Sequence, residues 1–283
     1  MSNSKTAVVT GSTGGIGGEI AQLLASKGWN LILVNRSAEK AADQIAKLKS
    51  AFPEIAITSY NADLSDLDQI RATTAEIVKA APKIDALYNI TGILTSSSVQ
   101  SRQGHEIHYA INVLAEYLVT HGLRPALKRE ASDAPTMVVT MSSSSINGVG
   151  KLEVEELVVP KKLGLLGAYA KSKMALTIMS AEISDDLKQD NILIRAIDPG
   201  PTRTPMTTGG DGMPGPLRLL APLLFSSPDK QAAKVVFAAD PAAFGGRTGI
   251  MVSGGKEKPL PKLAKDPKLK EQLMSKLIAD AGQ

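Results

Sequence analysis

Short apolar runs alternate with amphipathic stretches along the whole chain. The runs at 6–10, 30–35, 55–61, 84–89, 136–141, 192–198 and roughly 248–252 are nearly all apolar, the pattern of strands covered on both faces. Between them, apolar residues recur at helical spacing over 15–27, 38–51, 64–80, 104–129, 168–189 and 228–239. This alternation predicts an α/β fold, with one doubly wound parallel sheet and helices on both faces. Right-handed crossovers then gather the strand C-terminal ends along one rim, where ligands bind. No linker interrupts the pattern, so the 283 residues read as a single domain. Two irregular stretches stand out, 148–167 and a Gly- and Pro-rich segment at about 200–228, read as a substrate loop. A last helix is expected over 266–281, with Asp266 as cap, Pro267 at its first position and a Leu269, Leu273, Leu277 stripe.

Composition narrows the function classes. Hydrophobic residues at 43% and charged residues at 21% are ordinary for a water-soluble domain. The net charge of +4 owes much to the segment 256–283, where Lys256, Lys258, Lys262, Lys265, Lys268, Lys270 and Lys276 read as a solvated tail. Aromatics at 4% leave no stacking face for nucleic acid. The absence of cysteine excludes disulfides, a thiolate nucleophile and a cysteine-ligated metal. His105 and His108 share a helix face, but without HExxH or a carboxylate cluster they read as a surface pair, and no metal is expected. No basic-then-apolar segment precedes the first strand, and no run reaches ~18 apolar residues. The expectation is a cytoplasmic protein without a membrane anchor.

Chemistry concentrates at two places. The first is Thr10-Gly11-Ser12-Thr13-Gly14-Gly15-Ile16-Gly17, which follows an apolar run and opens a helical pattern. Gly11 suits a tight turn, Gly15 a close backbone approach to phosphate, and Gly17 close packing of helix on strand. The helix N-terminus offers free N–H groups to a dinucleotide pyrophosphate, as in a Rossmann fold. The spacing matches both TGxxxGxG and TGxxGxxG. At the next strand end, Asn35 stands where a carboxylate would hold an NAD ribose, and Arg36 follows. A guanidinium can grip a 2′-phosphate by a bidentate fork, which favours NADP(H), with Ser12, Thr13 and Ser37 as hydroxyl donors. Asp63, beside Leu64, can accept from the adenine amino group or cap the helix over 64–80. The second place is Tyr169-Ala170-Lys171-Ser172-Lys173, where Tyr169 is a candidate proton donor and Lys173 shares its helix face.

Taken in order, these motifs resemble the short-chain dehydrogenase/reductase family, in its smaller single-domain, retinol-dehydrogenase/carbonyl-reductase-like branch. The resemblance runs over about residues 5–255. It also includes Asn89-Ile90-Thr91-Gly92, Asn112, the serine run 142–145 and Asp198-Pro199-Gly200-Pro201-Thr202-Arg203-Thr204. It implies a catalytic tetrad of Asn112, Ser143, Tyr169 and Lys173, with Ser144 as the alternative serine. Lys173 would lower the phenol pKa and grip the nicotinamide ribose, Ser143 would polarise the carbonyl, and Asn112 would hold a relay water. Asn89, Gly92, Pro199, Gly200, Thr202 and Thr204 would complete the cofactor site, together with Ile16 and Leu64.

The resemblance departs from the usual Asn-Asn-Ala-Gly at Asn89-Ile90-Thr91-Gly92, and it carries an insertion at 151–166. The implied activity is interconversion of a carbonyl and an alcohol with NADP(H). A cofactor-binding regulator of the same fold, or an isomerase or dehydratase using transient hydride transfer, is the alternative. Ile93, Leu94, Leu157, Val158, Met206, Met213, Leu217 and Leu220 suggest a hydrophobic substrate. The resemblance also suggests a homodimer or homotetramer.

Overall fold

The computed structural model describes residues 4–96, 99–158, 165–204 and 225–282. Its centre is an eight-stranded sheet in the order β3-β2-β1-β4-β5-β6-β7-β8. The strands are β1 (Thr6–Thr10), β2 (Asn30–Asn35), β3 (Ile57–Asn61), β4 (Ala86–Asn89), β5 (Thr136–Met141), β6 (Ile192–Asp198), β7 (Ile250–Ser253) and β8 (Lys256–Lys258). The first seven pair in parallel, and β8 returns antiparallel along β7. Chain order reverses between β1 and β4, which opens a crevice at their C-terminal ends.

The helices are α1 (Gly15–Ser26), α2 (Ala38–Ala51), α3 (Leu67–Ala80), α4 (Ile107–Tyr109), α5 (Ala115–Leu127), α6 (Glu155–Val158), α7 (Leu165–Glu182), α8 (Ser184–Lys188), α9 (Pro228–Ala238) and α10 (Pro267–Asp280). Successive strand side chains feed opposite layers. Val9, Leu33 and Val139 meet Ile20 and Leu24 of α1, Leu48 of α2 and Val235 of α9. Val8, Leu87 and Val138 meet Ile70 of α3, Leu118 of α5 and Ile178 of α7. Burying each large apolar side chain contributes about 1.5–3 kcal/mol, so these two layers fix the sheet.

Several boundaries differ from the sequence expectation. The third helix starts at Leu67 because Asp66, not Asp63, is the extended cap that accepts from the Asp68 N–H. The stretch 104–129 breaks into α4, a π-helical turn at Ala110–Leu114 and α5. The stretch 168–189 divides at Ile183, and β3 begins at Ile57. β8 was invisible because three residues show no period. The lysine-rich C-terminal segment is not simply a solvated tail: β8 pairs in the sheet, and α10 buries Leu269, Leu273 and Leu277. His108 is not a surface residue either. It is buried, bonded to Glu106 at 2.7 Å through Nδ1, and its Nε2 accepts from the Thr95 N–H at 3.2 Å.

One buried cation ties the far edge together. Arg195 of β6 is fully buried and donates to the carbonyls of Ala238, Asp240, Pro241, Ala243 and Arg247 at 2.7–3.1 Å. Burial brings its guanidinium down to about 10, so it stays charged at neutral pH. The carbonyls at the end of α9 are thereby satisfied by a cation, as a helix C-terminus prefers.

Candidate active site

A cavity of about 700 Å³ lies at the strand C-terminal ends. One wall is the glycine-rich turn. Thr10 Oγ1 accepts from the N–H groups of Ile90 and Thr91 at 3.0 and 3.1 Å, stitching β1 to the segment after β4. Gly11 has φ +68°, and a Cβ there would lie 2.8 Å from Thr91 Oγ1. A Cβ on Gly17 would come within 2.3 Å of the Gly11 carbonyl oxygen. Only glycine allows this approach of α1 to the turn. Among the described residues no side chain caps α1, so its first N–H groups are left for an external acceptor. Gly11, Thr13, Gly14, Gly15, Ile16 and Gly17 line the cavity here. A cradle a Cβ would fill, at an uncapped helix N-terminus, fits a dinucleotide pyrophosphate.

The polar residues behind this wall are placed differently from expectation. Asn35 is buried and bonded to Ser12, whose N–H donates to Asn35 Oδ1 at 2.8 Å. The Asn35 amide donates back to Ser12 Oγ at 3.0 Å, and Ser12 Oγ donates to Gln44 Oε1 at 2.9 Å. Both brace the turn from behind instead of facing a ligand. Ser37 caps α2 by accepting from the Lys40 N–H. Arg36 is exposed and does not line the cavity, whereas Lys40 does. Asp63 accepts from the backbone and hydroxyl of Ser65 at 2.9 and 2.8 Å, and Leu64 belongs to the core. Asn89 is buried and donates to Thr120 Oγ1 at 3.1 Å, so it supports the fold rather than a ligand.

The opposite wall carries Ser142–Ser145 at the end of β5, with Tyr169 and Lys173 one turn apart on α7. Ser143 and Ser144 both line the cavity with Tyr169, and Ser143 acts on the Tyr169 phenol. Ser142 instead bonds Thr177 at 2.8 Å. Burial pushes the Tyr169 phenol up; the Ser143 bond opposes this, while Asp198 and Glu116 add to it. Burial pushes the Lys173 amine down, opposed by Glu116. Lys173 Nζ lies 3.9 Å from Glu116 Oε1.

Asn112 sits in the π-helical turn and is fully engaged. Its Oδ1 accepts from the Ile93 N–H at 2.8 Å, and its Nδ2 donates to Ile93 O at 3.1 Å and Ser172 Oγ at 3.0 Å. The side chain therefore staples the segment after β4 to α7 and does not reach the cavity. Asp198, at the end of β6, accepts from the Gly200 N–H and the Ser253 hydroxyl at 2.9 and 2.8 Å. Gly200 has φ +83°. Pro199, Gly200, Thr202 and Thr204 follow along the wall, with Gly92 facing them. Ile90, Leu94, Met141 and Phe225 supply the apolar lining. Leu157 is buried in the core, and Met206, Met213, Leu217, Leu220 and the side chain of Val158 lie outside the described residues. In the 151–166 insertion, Glu156 of α6 pairs with Lys171 of α7.

Sequence reasoning missed Lys40, Asp198 and Glu116. Glu116 did leave a signal: it is the one charge in the apolar stretch 110–119.

The comparisons with known proteins agree with this geometry. The short chain dehydrogenase family model matches residues 5–211. A polyprenol dehydrogenase from Danio rerio is 25% identical over 286 residues, covering 99% of this chain and 87% of the relative. Human retinol dehydrogenase 13 is 28% identical over 275 residues, covering 95% and 82%. Among solved structures, the Pseudomonas aeruginosa RhlG/NADP active-site complex is 26% identical with a TM-score of 0.70, covering 88% of this chain and 94% of that one. A Serratia marcescens short-chain dehydrogenase/reductase shares the fold at 22% identity, with a TM-score of 0.70 and coverage of 88% and 95%. No helix among the described residues is long and apolar enough to cross a membrane. Because the matched span covers most of the chain and brings both walls of the cavity with it, this protein belongs to the short chain dehydrogenase family.

Proposed function

We propose that this oxidoreductase interconverts a carbonyl and an alcohol with NADP(H), using Tyr169 as acid and base. The observation that carries the reading is a single cavity with a glycine-built phosphate cradle on one wall and Ser143, Tyr169 and Lys173 on the other. The first N–H groups of α1 would hold the pyrophosphate, and Thr202 and Thr204 would hold the nicotinamide end. A bound nicotinamide would supply or accept the hydride. Ser143 donates a hydrogen bond to the substrate oxygen and opposes its developing charge. Tyr169 delivers the proton to that oxygen in reduction and removes it in oxidation. Lys173 orients the ribose and supplies positive charge beside the phenol. Asn112 acts as a positioning residue, through its bonds to Ile93 and Ser172.

The preference for NADP(H) is supported by the absence of a carboxylate at the end of β2, where Asn35 is committed to Ser12. Lys40 on the cavity wall is the cation for a 2′-phosphate. Ile90, Leu94, Met141 and Phe225 support an apolar substrate. The protein is proposed to work as a homodimer or homotetramer, and light scattering that finds only a 29.7 kDa species overturns this.

The test follows NADPH and NADH oxidation over apolar and polar aldehydes and ketones, with Tyr169→Phe beside the parent. Turnover with NADPH on apolar carbonyls, lost in the variant by about 10²–10⁴-fold, is expected. Undiminished turnover in Tyr169→Phe, or no consumption of either cofactor across the panel, refutes the reading.

A further inference from the structure

His108 is a buried polar group that the proposed reaction does not use, and it stands behind one stretch of the cavity wall. The segment after β4 leaves the glycine turn at Thr91 and runs on through Gly92 and Leu94, which line the cavity. The residues on either side of Leu94 are tied by their backbone to the helical turn behind. Asn112 takes the Ile93 N–H at 2.8 Å and donates to the Ile93 carbonyl at 3.1 Å. His108, four residues earlier, takes the Thr95 N–H on Nε2 at 3.2 Å. An acceptor at Nε2 requires the ring proton on Nδ1, which lies 2.7 Å from Glu106 Oε1. Glu106 Oε2 accepts in turn from the Tyr109 N–H at 2.9 Å and caps α4. The side chains of His108 and Glu106 are 3% and 9% exposed. Burying such a pair is costly, and the cost is offset only while every member of the chain is bonded. A residue kept for packing alone would do better with an apolar side chain of similar volume.

We infer that His108 is a positioning residue for substrate selectivity: through Thr95 it holds Leu94 in the cavity wall, and Leu94 makes that wall favour a long apolar chain on the substrate over a short one. The inference rests on the reading of the cavity as a site for an apolar substrate. Leu94 belongs to the chemical end. Its anchor Asn112 also bonds Ser172 at 3.0 Å, and Ser172 stands beside Lys173 and donates to the Tyr169 carbonyl at 2.8 Å. The held segment therefore lies against α7, where Tyr169 and Lys173 line the same cavity. Leu94 is half-buried, so its place depends on the backbone that carries it. With both anchors made, the apolar wall is ordered before a ligand arrives. With the Thr95 anchor lost, the segment beyond Ile93 must be ordered at the moment of binding, and that cost comes out of the affinity for an apolar chain. Ile93 keeps its two bonds to Asn112 whatever happens at His108, so the effect is confined to Leu94 and Thr95.

The test uses the whole protein and three variants. His108→Leu removes the acceptor, His108→Gln keeps a side-chain carbonyl at the reach of Nε2, and Leu94→Ala leaves the polar chain untouched. Two readouts need neither turnover nor a known substrate. Amide hydrogen exchange should quicken at Thr95 by about tenfold or more in His108→Leu, return toward the parent rate in His108→Gln, and stay unchanged at Ile93 in both. Calorimetric titration should show the parent preferring 1-octanol to 1-butanol. That preference should fall about tenfold in His108→Leu and in Leu94→Ala, and recover in His108→Gln. No octanol preference in the parent, a preference untouched by either His108→Leu or Leu94→Ala, or unchanged Thr95 exchange in His108→Leu overturns the inference. So does a failure of His108→Gln to recover while it keeps the parent's thermal transition. If neither His108 variant folds, the parent and Leu94→Ala decide: an unprotected Thr95 amide overturns the inference, and a protected one together with the lost octanol preference upholds it. A protein that meets these expectations yet turns over no carbonyl refutes the proposed reaction and leaves the role of His108 standing.

Discussion

The two walls of the cavity are made by opposite means. The cofactor wall works through what its residues lack: Gly11 and Gly17 omit side chains so that backbone can meet backbone, and among the described residues no side chain caps α1. The chemical wall works through what is hidden in it: Lys173, Glu116 and Asp198 are all buried charged groups within one small region. Backbone cradles depend on distance and hardly on pH. Buried charges depend on one another and on every proton in the cluster. A change on one wall should therefore leave the other's signature intact.

The sharpest break is Tyr169→Phe, which should remove about 10²–10⁴-fold of turnover while NADPH affinity, read by fluorescence titration, stays near the parent value. Loss of NADPH affinity as well would mean that the two walls are not separable. Gly17→Ala should do the converse. Its Cβ has nowhere to go against the Gly11 carbonyl, so the turn and α1 must part, at a cost of about 1–3 kcal/mol in stability and a loss of cofactor binding. The Tyr169 ionisation midpoint should not move, and chemical denaturation with a phenolate absorbance titration against Tyr169→Phe checks both. Lys40→Ala is the mildest: about a tenfold rise in KM for NADPH with none for NADH, from one lost charge-assisted contact. An equal rise for both cofactors would assign Lys40 to the pyrophosphate instead.

The same contrast decides what could be read before folding. The glycine spacing, the strand–helix alternation and the Tyr169–Lys173 step are local patterns, and local patterns are visible in a sequence. Asn35 and Ser12 are legible as positions, but their mutual hydrogen bonds join residues 23 apart in the chain, which no local pattern encodes. Asn112 was located, yet its commitment to Ile93 depends on a loop whose path no periodicity encodes. The Glu116–Lys173 pairing is a meeting of two helices, and the π-helical turn before α5 shifts the helix face, so i,i+4 counting alone could not predict it. As a helix cap Asp63 is displaced by a single turn, since Asp66 three residues later accepts from the Asp68 N–H.

The last helix has a consequence for the order in which the molecule can assemble. The α10 stripe completes the core beneath α3, α5 and α7, and Asp280 accepts from the hydroxyl of Tyr109, 171 residues earlier. Arg71 reaches the carbonyl of Ala281 across 210 residues. Contacts of such range form late, because the loop they close must first be ordered. During synthesis the part of the α7 surface that α10 covers must therefore wait until residues near 280 have left the ribosome.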